Sequence, residues 1–204
     1  MPRLIDRGER RREIAHAAWR VIVRDGIGRA SVRGVAAEAG VSAGSLRHVF
    51  ASQRELLLFA LEMVAERFRE RSTAPRPPGA ARESVAAAAR GMLPLDEERR
   101  AESEAYLALC DVARTDATLR GPRDAAHLAR RRTCRRLVGE LDNGVDLAPG
   151  ADLDLEAARL HALLDGLAAH LLREPADADQ GWATAVLARH LDSLAAQRPA
   201  GKTA

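Results

Sequence analysis

The sequence is short of aromatic residues, cysteines and long apolar runs, and each shortage excludes a class of protein. Only 3% of its 204 residues are aromatic, which disfavours β-sandwiches and barrels because strands favour aromatic and β-branched side chains. No run of about 18 apolar residues occurs that could span a membrane. The N-terminal residues lack the apolar segment of a signal peptide. We therefore expect a cytoplasmic protein with no membrane partner.

Two cysteines, Cys110 and Cys134, stand in segments with helical patterning. They lack metal-ligand spacing and suit a reduced compartment, where they serve as small apolar side chains. The sequence contains no glycine-rich phosphate loop, no nucleophile flanked by glycines and no zinc-protease motif. The sequence therefore predicts no catalytic residue, no cofactor and no metal.

Alanine is abundant and basic charge is unevenly distributed. The chain contains 42 alanines, and alanine is the best helix former, so the composition predicts an all-α protein. The net charge is +3, but residues 1–60 carry +5 and residues 61–204 carry −2. A basic end on a slightly acidic body indicates a polyanion-binding module at the N-terminus.

Apolar spacing and breaker residues divide the chain into helices. The segment from Thr73 to Gly79, with three prolines, is predicted to be a linker. Pro94, the Asp116/Gly121-Pro122 region, Asn143-Gly144 and Pro175 are predicted breaks. The predicted helices cover residues 7–24, 31–39, a short third helix capped by Ser42, 52–71, 81–92, 96–115, 119–141, 152–173 and 178–197.

The segment from Ser31 to Phe50 has the plan of a helix-turn-helix, with two short helices around Gly40. Glycine is favoured in the turn because it adopts positive φ without strain. The second helix exposes its N-terminal residues, which in this motif approach base edges in the major groove, while the first helix crosses the phosphate backbone. The predicted DNA contacts are Arg33, Ser42, Ala43, Ser45, Arg47 and His48.

Residues 10–60 resemble the DNA-binding domain of the TetR/AcrR family of transcriptional regulators. The family's pattern is matched by Ala36, Ala39, Gly40, Val41, Ser42, Gly44, Leu46, Phe50, Ser52 and Leu56. The strings G-S-L-R-H-V-F, P-L-D-E-E-R-R and L-L-D-G-L-A resemble the BetI-like subgroup. Arg47 stands where the family usually has tyrosine, and Arg54 stands where it usually has a lysine at the start of the fourth helix. The resemblance implies that both contact DNA.

The resemblance also implies a layout and a function. We expect a three-helix DNA-binding domain at 1–50, a connector helix at 51–72, and a helical effector-binding and dimerisation domain at 73–204. The implied function is that of a homodimeric repressor that binds a palindromic operator and is released from it by an unknown small-molecule effector. The alternative is a helical small-molecule-binding or enzymatic protein whose N-terminal domain does not bind DNA.

Polar groups on the apolar C-terminal helices are candidates for the effector pocket, although ordinary core and cap roles are the more common reading. These candidates are Tyr106, Cys110, His127, Cys134 and His161. Asp165 interrupts an apolar stripe and needs a partner, so we expect a subunit interface there. His161, Asp165 and His170 have spacing that permits a metal, but we expect none. The predicted interface comprises Leu160, Leu164, Asp165, Gly166, Leu167, Leu171, Trp182, Val186 and Leu191.

Two basic runs leave alternatives open. Arg10, Arg11 and Arg12 suit a phosphate-facing cluster or a solvated helix start equally well. The run from Arg130 to Arg136 favours a solvated helix face over a second nucleic-acid surface.

Overall fold

The computed structural model describes residues 7–73, 80–143 and 146–194, and these residues form α-helices, one short 3-10 helix (Ile27–Arg29) and no β-strand. The all-α prediction is confirmed. No helix within the described ranges has the length and apolar character needed to cross a membrane. The α-helices are α1 (Arg7–Asp25), α2 (Val32–Glu38), α3 (Ala43–Val49), α4 (Gln53–Thr73), α5 (Ala81–Arg90), α6 (Glu97–Thr115), α7 (Ala117–Gly139), α8 (Leu153–Leu171) and α9 (Gly181–Leu194).

Local caps set most of these boundaries. The Ser31 hydroxyl accepts a hydrogen bond from the Gly34 amide at the start of α2, and the Asp152 carboxylate caps α8 in the same way. Gly26 follows α1 with φ +80°, in the left-handed region that glycine tolerates best. Ser31 thus begins α2 and Gly26 ends α1.

The predicted break in the Asp116/Gly121-Pro122 region is present and lies at its Asp116 end. The chain breaks at Asp116, whose Oδ1 accepts hydrogen bonds from the Thr118 amide and hydroxyl and so caps α7. Pro122 lies inside α7, close enough to its start that the helix continues with the loss of one backbone hydrogen bond. The predicted linker begins at Thr73, the last residue of α4, and its remaining residues, 74–79, lie outside the described ranges.

The chain packs as two compact units. Unit 1 comprises Met1–Arg67 and Glu97–His127, and unit 2 comprises Phe68–Asp96 and Leu128–Ala204. Packing therefore groups α6 with the N-terminal helices, whereas the expected functional division places everything after residue 72 in one domain. That functional division stays a prediction.

In unit 1, α1 is the central helix and packs against α2, α3 and α6. Its buried face includes Ile14, Val21 and Ile22, as the three-four apolar spacing predicts. Trp19 is buried beside them, and its Nε1 donates a 3.2 Å hydrogen bond to the carbonyl of Ala60 in α4. This bond satisfies the indole N–H away from water and fixes α4 against α1.

A polar network joins α1, α4 and α6 within unit 1. Arg67 donates to Glu98 and, at 2.9 Å, to Oε1 of the fully buried Glu102. The His16 ring lies 3.2 Å from Arg67 Nη2. Burial, followed by the neighbouring Arg67 charge, lowers the pKa of His16 below its usual 6.5, so the ring is neutral at neutral pH.

Unit 2 has an aliphatic core built from α5, the second half of α7, α8 and α9. Its buried members include Val85, Leu93, Leu137, Leu160 and Leu187. At one edge of this core Arg82 donates to the Ala188 carbonyl and to Asp192, and so links α5 to α9.

Candidate nucleic-acid interface

The helix-turn-helix is formed as the sequence predicts. Gly40 has φ +65°, and the Val41 amide donates a 2.9 Å hydrogen bond back to the Ala36 carbonyl. Leu46 is fully buried, as is Val35, and Ala36 is nearly so. The turn and this small apolar contact set the crossing angle of α2 and α3. The inner face of α3 is therefore buried, and its outer face is held in a fixed orientation.

The N-terminus of α3 presents two hydroxyls. The Ser42 hydroxyl accepts a 3.0 Å hydrogen bond from the Ser45 amide, which confirms the predicted cap. Ser42 Oγ also donates to Ser45 Oγ at 3.0 Å. Both side chains are exposed, so the cap leaves polar hydroxyl groups on the surface at the N-terminal end of α3.

The remaining predicted contacts on α3 are also accessible. Arg47 and His48 are exposed and Ala43 is half-buried. Gly44 is exposed, which leaves this turn of the helix without a bulky side chain. Arg33 is exposed on α2. Within residues 7–73, neither Arg33 nor Arg47 has an acidic partner, so both guanidiniums are available to bind an anion.

A polar groove of about 670 Å³ adjoins the start of α2, a helix that two ion pairs of Glu38 fix against α1. Glu38, on the same helix, accepts hydrogen bonds from Arg20 at 2.7 Å and from Arg24 at 2.8 Å. These bonds hold the pKa of Glu38 below its usual value, Arg20 making the larger contribution. Glu38 thereby ties α2 to α1. The groove is lined by Val21, Arg24, Asp25, Arg29, Ser31, Arg33 and Gly34.

Arg54, the seventh predicted DNA contact, has a partner inside unit 1. Its Nε lies 3.6 Å from Oδ2 of Asp116, the capping residue of α7. The Arg54 side chain is 60% exposed and the Asp116 side chain 29%. The pair therefore lies at the surface, where water competes with it.

The five predicted effector residues divide between the two units. In unit 1, Tyr106 and Cys110 are half-buried on α6 and His127 is exposed on α7. In unit 2, Cys134 and His161 are buried. Burial raises the pKa of the Cys134 thiol to about 12, so this cysteine stays protonated and is a poor nucleophile. The role of all five residues in effector binding stays a prediction.

All five predicted interface leucines lie inside unit 2 itself. Each is at most 4% exposed and packs in the core of the unit, so these side chains are not accessible to a partner chain. The sequence pattern did not separate the core face of α8 and α9 from the outer face, because both are rich in apolar residues. The buried members are Leu160, Leu164, Leu167, Leu171 and Leu191.

Asp165 finds a partner within unit 2 and so needs none from a second subunit, while its place in the interface stays a prediction. Its Oδ1 accepts a 2.9 Å hydrogen bond from Arg130, and its Oδ2 lies 3.3 Å from His161 Nε2. The Arg130 guanidinium also lies 4.5 Å from the centre of the Phe68 ring. Arg130 is thus buried and paired, unlike the solvated face that the basic run favours.

The other predicted interface residues stay accessible to differing degrees. Gly166 and Val186 are exposed, Val186 by 42%. Trp182 is half-buried, and its Nε1 donates a 3.1 Å hydrogen bond to Glu174. These three residues remain candidates for contact with a second chain.

Sequence reasoning missed the group of residues that holds the C-terminal end of α3. Arg11 on α1 donates to the Val49 carbonyl at 3.3 Å and to Glu55 Oε1 at 3.4 Å. Ser52 and Glu55 have the local spacing of a capping box, but no local pattern connects Glu55 with Arg11, which lies 44 positions away in the sequence.

Comparison with protein-family models gives two matches. Residues 14–60 match the model described as bacterial regulatory proteins, tetR family. Residues 81–196 match the model described as BetI-type transcriptional repressor, C-terminal. The first match contains the helix-turn-helix described above, and the second covers more than half of the chain.

Comparison with individual proteins gives similarities over nearly the whole chain. The chain is 38% identical to the HTH-type transcriptional regulator PksA of Bacillus subtilis (strain 168), covering 95% of this chain and 94% of that protein. Among solved structures, a Saccharomonospora viridis transcriptional regulator in complex with choline is 25% identical with a TM-score of 0.81, covering 94% of this chain and all of that one. A Rhodococcus sp. Rha1 transcriptional regulator is 28% identical with a TM-score of 0.77, covering 90% and 95%.

Proposed function

Because this chain belongs to the TetR family of bacterial transcriptional regulators, with a DNA-binding domain and a BetI-type C-terminal region, we propose that it is a repressor that binds a palindromic operator as a homodimer and is released by a small-molecule effector. Family members of this kind are regulators and not enzymes. The observation that carries the proposal is the exposed face of α3, which places Ser42, Ser45 and Arg47 on a helix held by buried Leu46.

The dimensions of α3 suit a single half-site. Its seven residues span about 10 Å, so one helix reads only a few base pairs and gives modest specificity alone. Two copies related by a two-fold axis read two half-sites separated by about 34 Å or a multiple of it. We therefore expect an operator with inverted repeats, and we expect Arg33 and Arg47 to contribute contacts to phosphates or base edges from each subunit.

The outer face of α8 supports the proposed homodimer. Ala158, Ala162 and Gly166 recur every four residues and are all exposed, so they form a stripe of small residues along one side of the helix. Leu155 and Val186 are large apolar residues that are also exposed, by 58% and 42%. Burial of such a face against a second copy removes apolar surface from water and permits close helix packing.

Release by an effector requires that the effector bind the conformation with low DNA affinity more tightly than the other. DNA must then weaken effector binding by the same factor. Choline, which the Saccharomonospora viridis structure contains, is a reasonable first compound to test. Arg54, which is proposed to contact DNA, pairs with Asp116 at the start of α7. A movement of the start of α7 would therefore change the position of the Arg54 guanidinium.

The test is binding of the dimer to the DNA upstream of its own gene. Fluorescence anisotropy at several salt concentrations would compare that fragment with a shuffled fragment of equal length and composition. We expect selective binding to the upstream fragment that weakens as salt rises. Equal, weak binding to both fragments would instead support the alternative, a small-molecule-binding protein whose N-terminal domain does not bind DNA.

A further inference from the structure

The Arg11 guanidinium lies over two aromatic rings. Its central carbon is 4.5 Å from the centre of the Phe50 ring and 4.6 Å from that of the Phe59 ring. The two ring centres are 5.5 Å apart and tilted by 50°, so the cation covers the crevice between them. Phe50 is fully buried at the end of α3, and Phe59 is half-buried in α4. Such contacts attract a cation to the ring faces and bury the arginine stem.

The same guanidinium binds the end of α3 and the start of α4. Its Nη1 donates to the Val49 carbonyl, one of the last carbonyls of α3. A positive charge there also interacts favourably with the negative end of the α3 helix dipole. Glu55 accepts from Arg11 through Oε1 and from the Ala51 amide, in the turn between α3 and α4, through Oε2 at 2.8 Å. One side chain from α1 therefore fixes the exit of α3 on both sides of the turn.

We infer that Arg11 is a positioning residue for α3, which sets the orientation of its exposed face without contacting DNA itself. The inference rests on the proposed function, since it concerns the affinity of α3 for an operator. For Arg11 it also replaces both interpretations of the basic run at the start of α1. Arg11 is neither a phosphate contact nor a solvated side chain, because its guanidinium is engaged with two rings, a carbonyl and a carboxylate.

Arg10 supplies a matched control. It is the neighbouring arginine on the same helix, and it pairs with Glu13 one turn along α1 at 2.9 Å. Arg10→Ala and Arg11→Ala remove the same charge from the same helix turn. Only Arg11→Ala removes contacts with α3 and α4, so a difference between the two variants reports the orientation of α3 rather than the charge of the domain.

The experiment measures operator affinity, affinity for shuffled DNA and the salt dependence of operator binding. We expect Arg11→Ala to weaken operator binding about tenfold relative to Arg10→Ala, with unchanged affinity for shuffled DNA and an unchanged salt slope. Arg11→Lys keeps the charge but loses the planar fork and its stacking, so it should resemble Arg11→Ala. Circular dichroism confirms that each variant is folded.

Three results overturn the inference. Equal operator affinity of Arg11→Ala and Arg10→Ala shows that α3 needs no such support. A salt slope lowered by about one per subunit shows that Arg11 contacts a phosphate directly. Full recovery in Arg11→Lys shows that charge alone matters.

Two further variants keep the test valid if Arg11→Ala does not fold. Glu55→Gln keeps the acceptor for the Ala51 amide and removes the charge that faces Arg11, while Phe59→Leu removes one ring. We expect both to weaken operator binding in the same direction, and normal binding by both contradicts the inference. Absence of selective binding by the unaltered protein is a separate outcome, because it contradicts the proposed function itself.

Discussion

Arg54, at the start of α4, lies with its Nε 3.6 Å from Oδ2 of Asp116, the residue that caps α7. Arg54, which the family resemblance implies contacts DNA, therefore pairs with an acidic side chain at the junction of α6 and α7. Hydrogen bonds from Thr118, with a smaller contribution from Arg54, hold the pKa of Asp116 below its usual value. Asp116 is therefore charged at neutral pH, and we expect it to compete with phosphate for Arg54.

Substitution of Asp116 is the direct test of this competition. Asp116→Asn keeps an Oδ1 acceptor for the Thr118 amide but removes the negative charge. We expect operator binding to tighten about threefold and the salt slope to rise by at most about one per subunit, because Arg54 is released toward phosphate. The control is Asp111→Asn, which alters an exposed α6 pair with the same 3.6 Å separation, to Arg114. Identical behaviour of the two variants would count against competition at Arg54.

Arg47 is exposed on α3 and should contact the operator. We expect Arg47→Ala to weaken operator binding and, for a phosphate contact, to lower the salt slope by about one per subunit. Titration by anisotropy at four or more salt concentrations gives both quantities. An unchanged slope with an altered base preference would place Arg47 on a base edge, and unchanged affinity would remove it from the interface.

If the outer face of α8 packs against a second copy, a bulky side chain on that face should prevent dimerisation. Gly166 is exposed, and a Cβ added there lies in open space, with no atom from beyond its own stretch of helix backbone within 4 Å. We expect Gly166→Arg to fold normally, to run as a monomer in light scattering and to lose operator affinity at least about tenfold, because two linked half-site contacts become one. Gly121→Arg is the matched control, since Gly121 is also exposed with open space around it. A dimeric Gly166→Arg variant would show that the second copy binds elsewhere.

Gly34 in α2 is required for close packing rather than for conformational freedom. A Cβ placed there would lie 2.5 Å from the Arg29 carbonyl oxygen, so the backbone must move. We expect Gly34→Ala to lower the free energy of unfolding by about 1–3 kcal/mol, although alanine normally stabilises a helix. Gly44→Ala in α3 meets only the Ser42 hydroxyl at 3.7 Å and should be neutral or slightly stabilising. Urea denaturation compares the two, and equal midpoints would contradict the steric argument.

His16 predicts a loss of stability in mild acid. Its pKa is lowered by burial and by Arg67 and Arg20, while Glu102 and Glu98 oppose the shift. The unfolded chain therefore binds a proton at higher pH than the folded chain, so stability is complete above about pH 6.5 and falls as pH decreases through the interval between the two pKa values. We expect thermal unfolding of His16→Gln to show a shallower pH dependence below that value. Superimposable profiles for the variant and the unaltered protein would contradict this.

Local signals in the sequence determined the helical architecture. Serine and aspartate caps, glycine at positive φ and three-four apolar spacing act within one or two turns, so they located α1 to α4 and the turn at Gly40. The motif that identifies the family consists of the same short-range features. The exposed face of α3 could therefore be predicted from the sequence, while its contact with DNA stays a prediction.

Tertiary structure alone decided the roles that depend on distant partners. The apolar stripe of α8 did not reveal that Leu160 and Leu164 pack within their own unit, because helical spacing identifies an apolar face without naming what covers it. Asp165 is paired by Arg130, which lies 35 positions earlier. Arg11 was one of three adjacent arginines until the fold placed it against Phe50. A charged side chain takes its function from the groups within a few ångströms of it, and those groups come from elements that local sequence patterns do not connect.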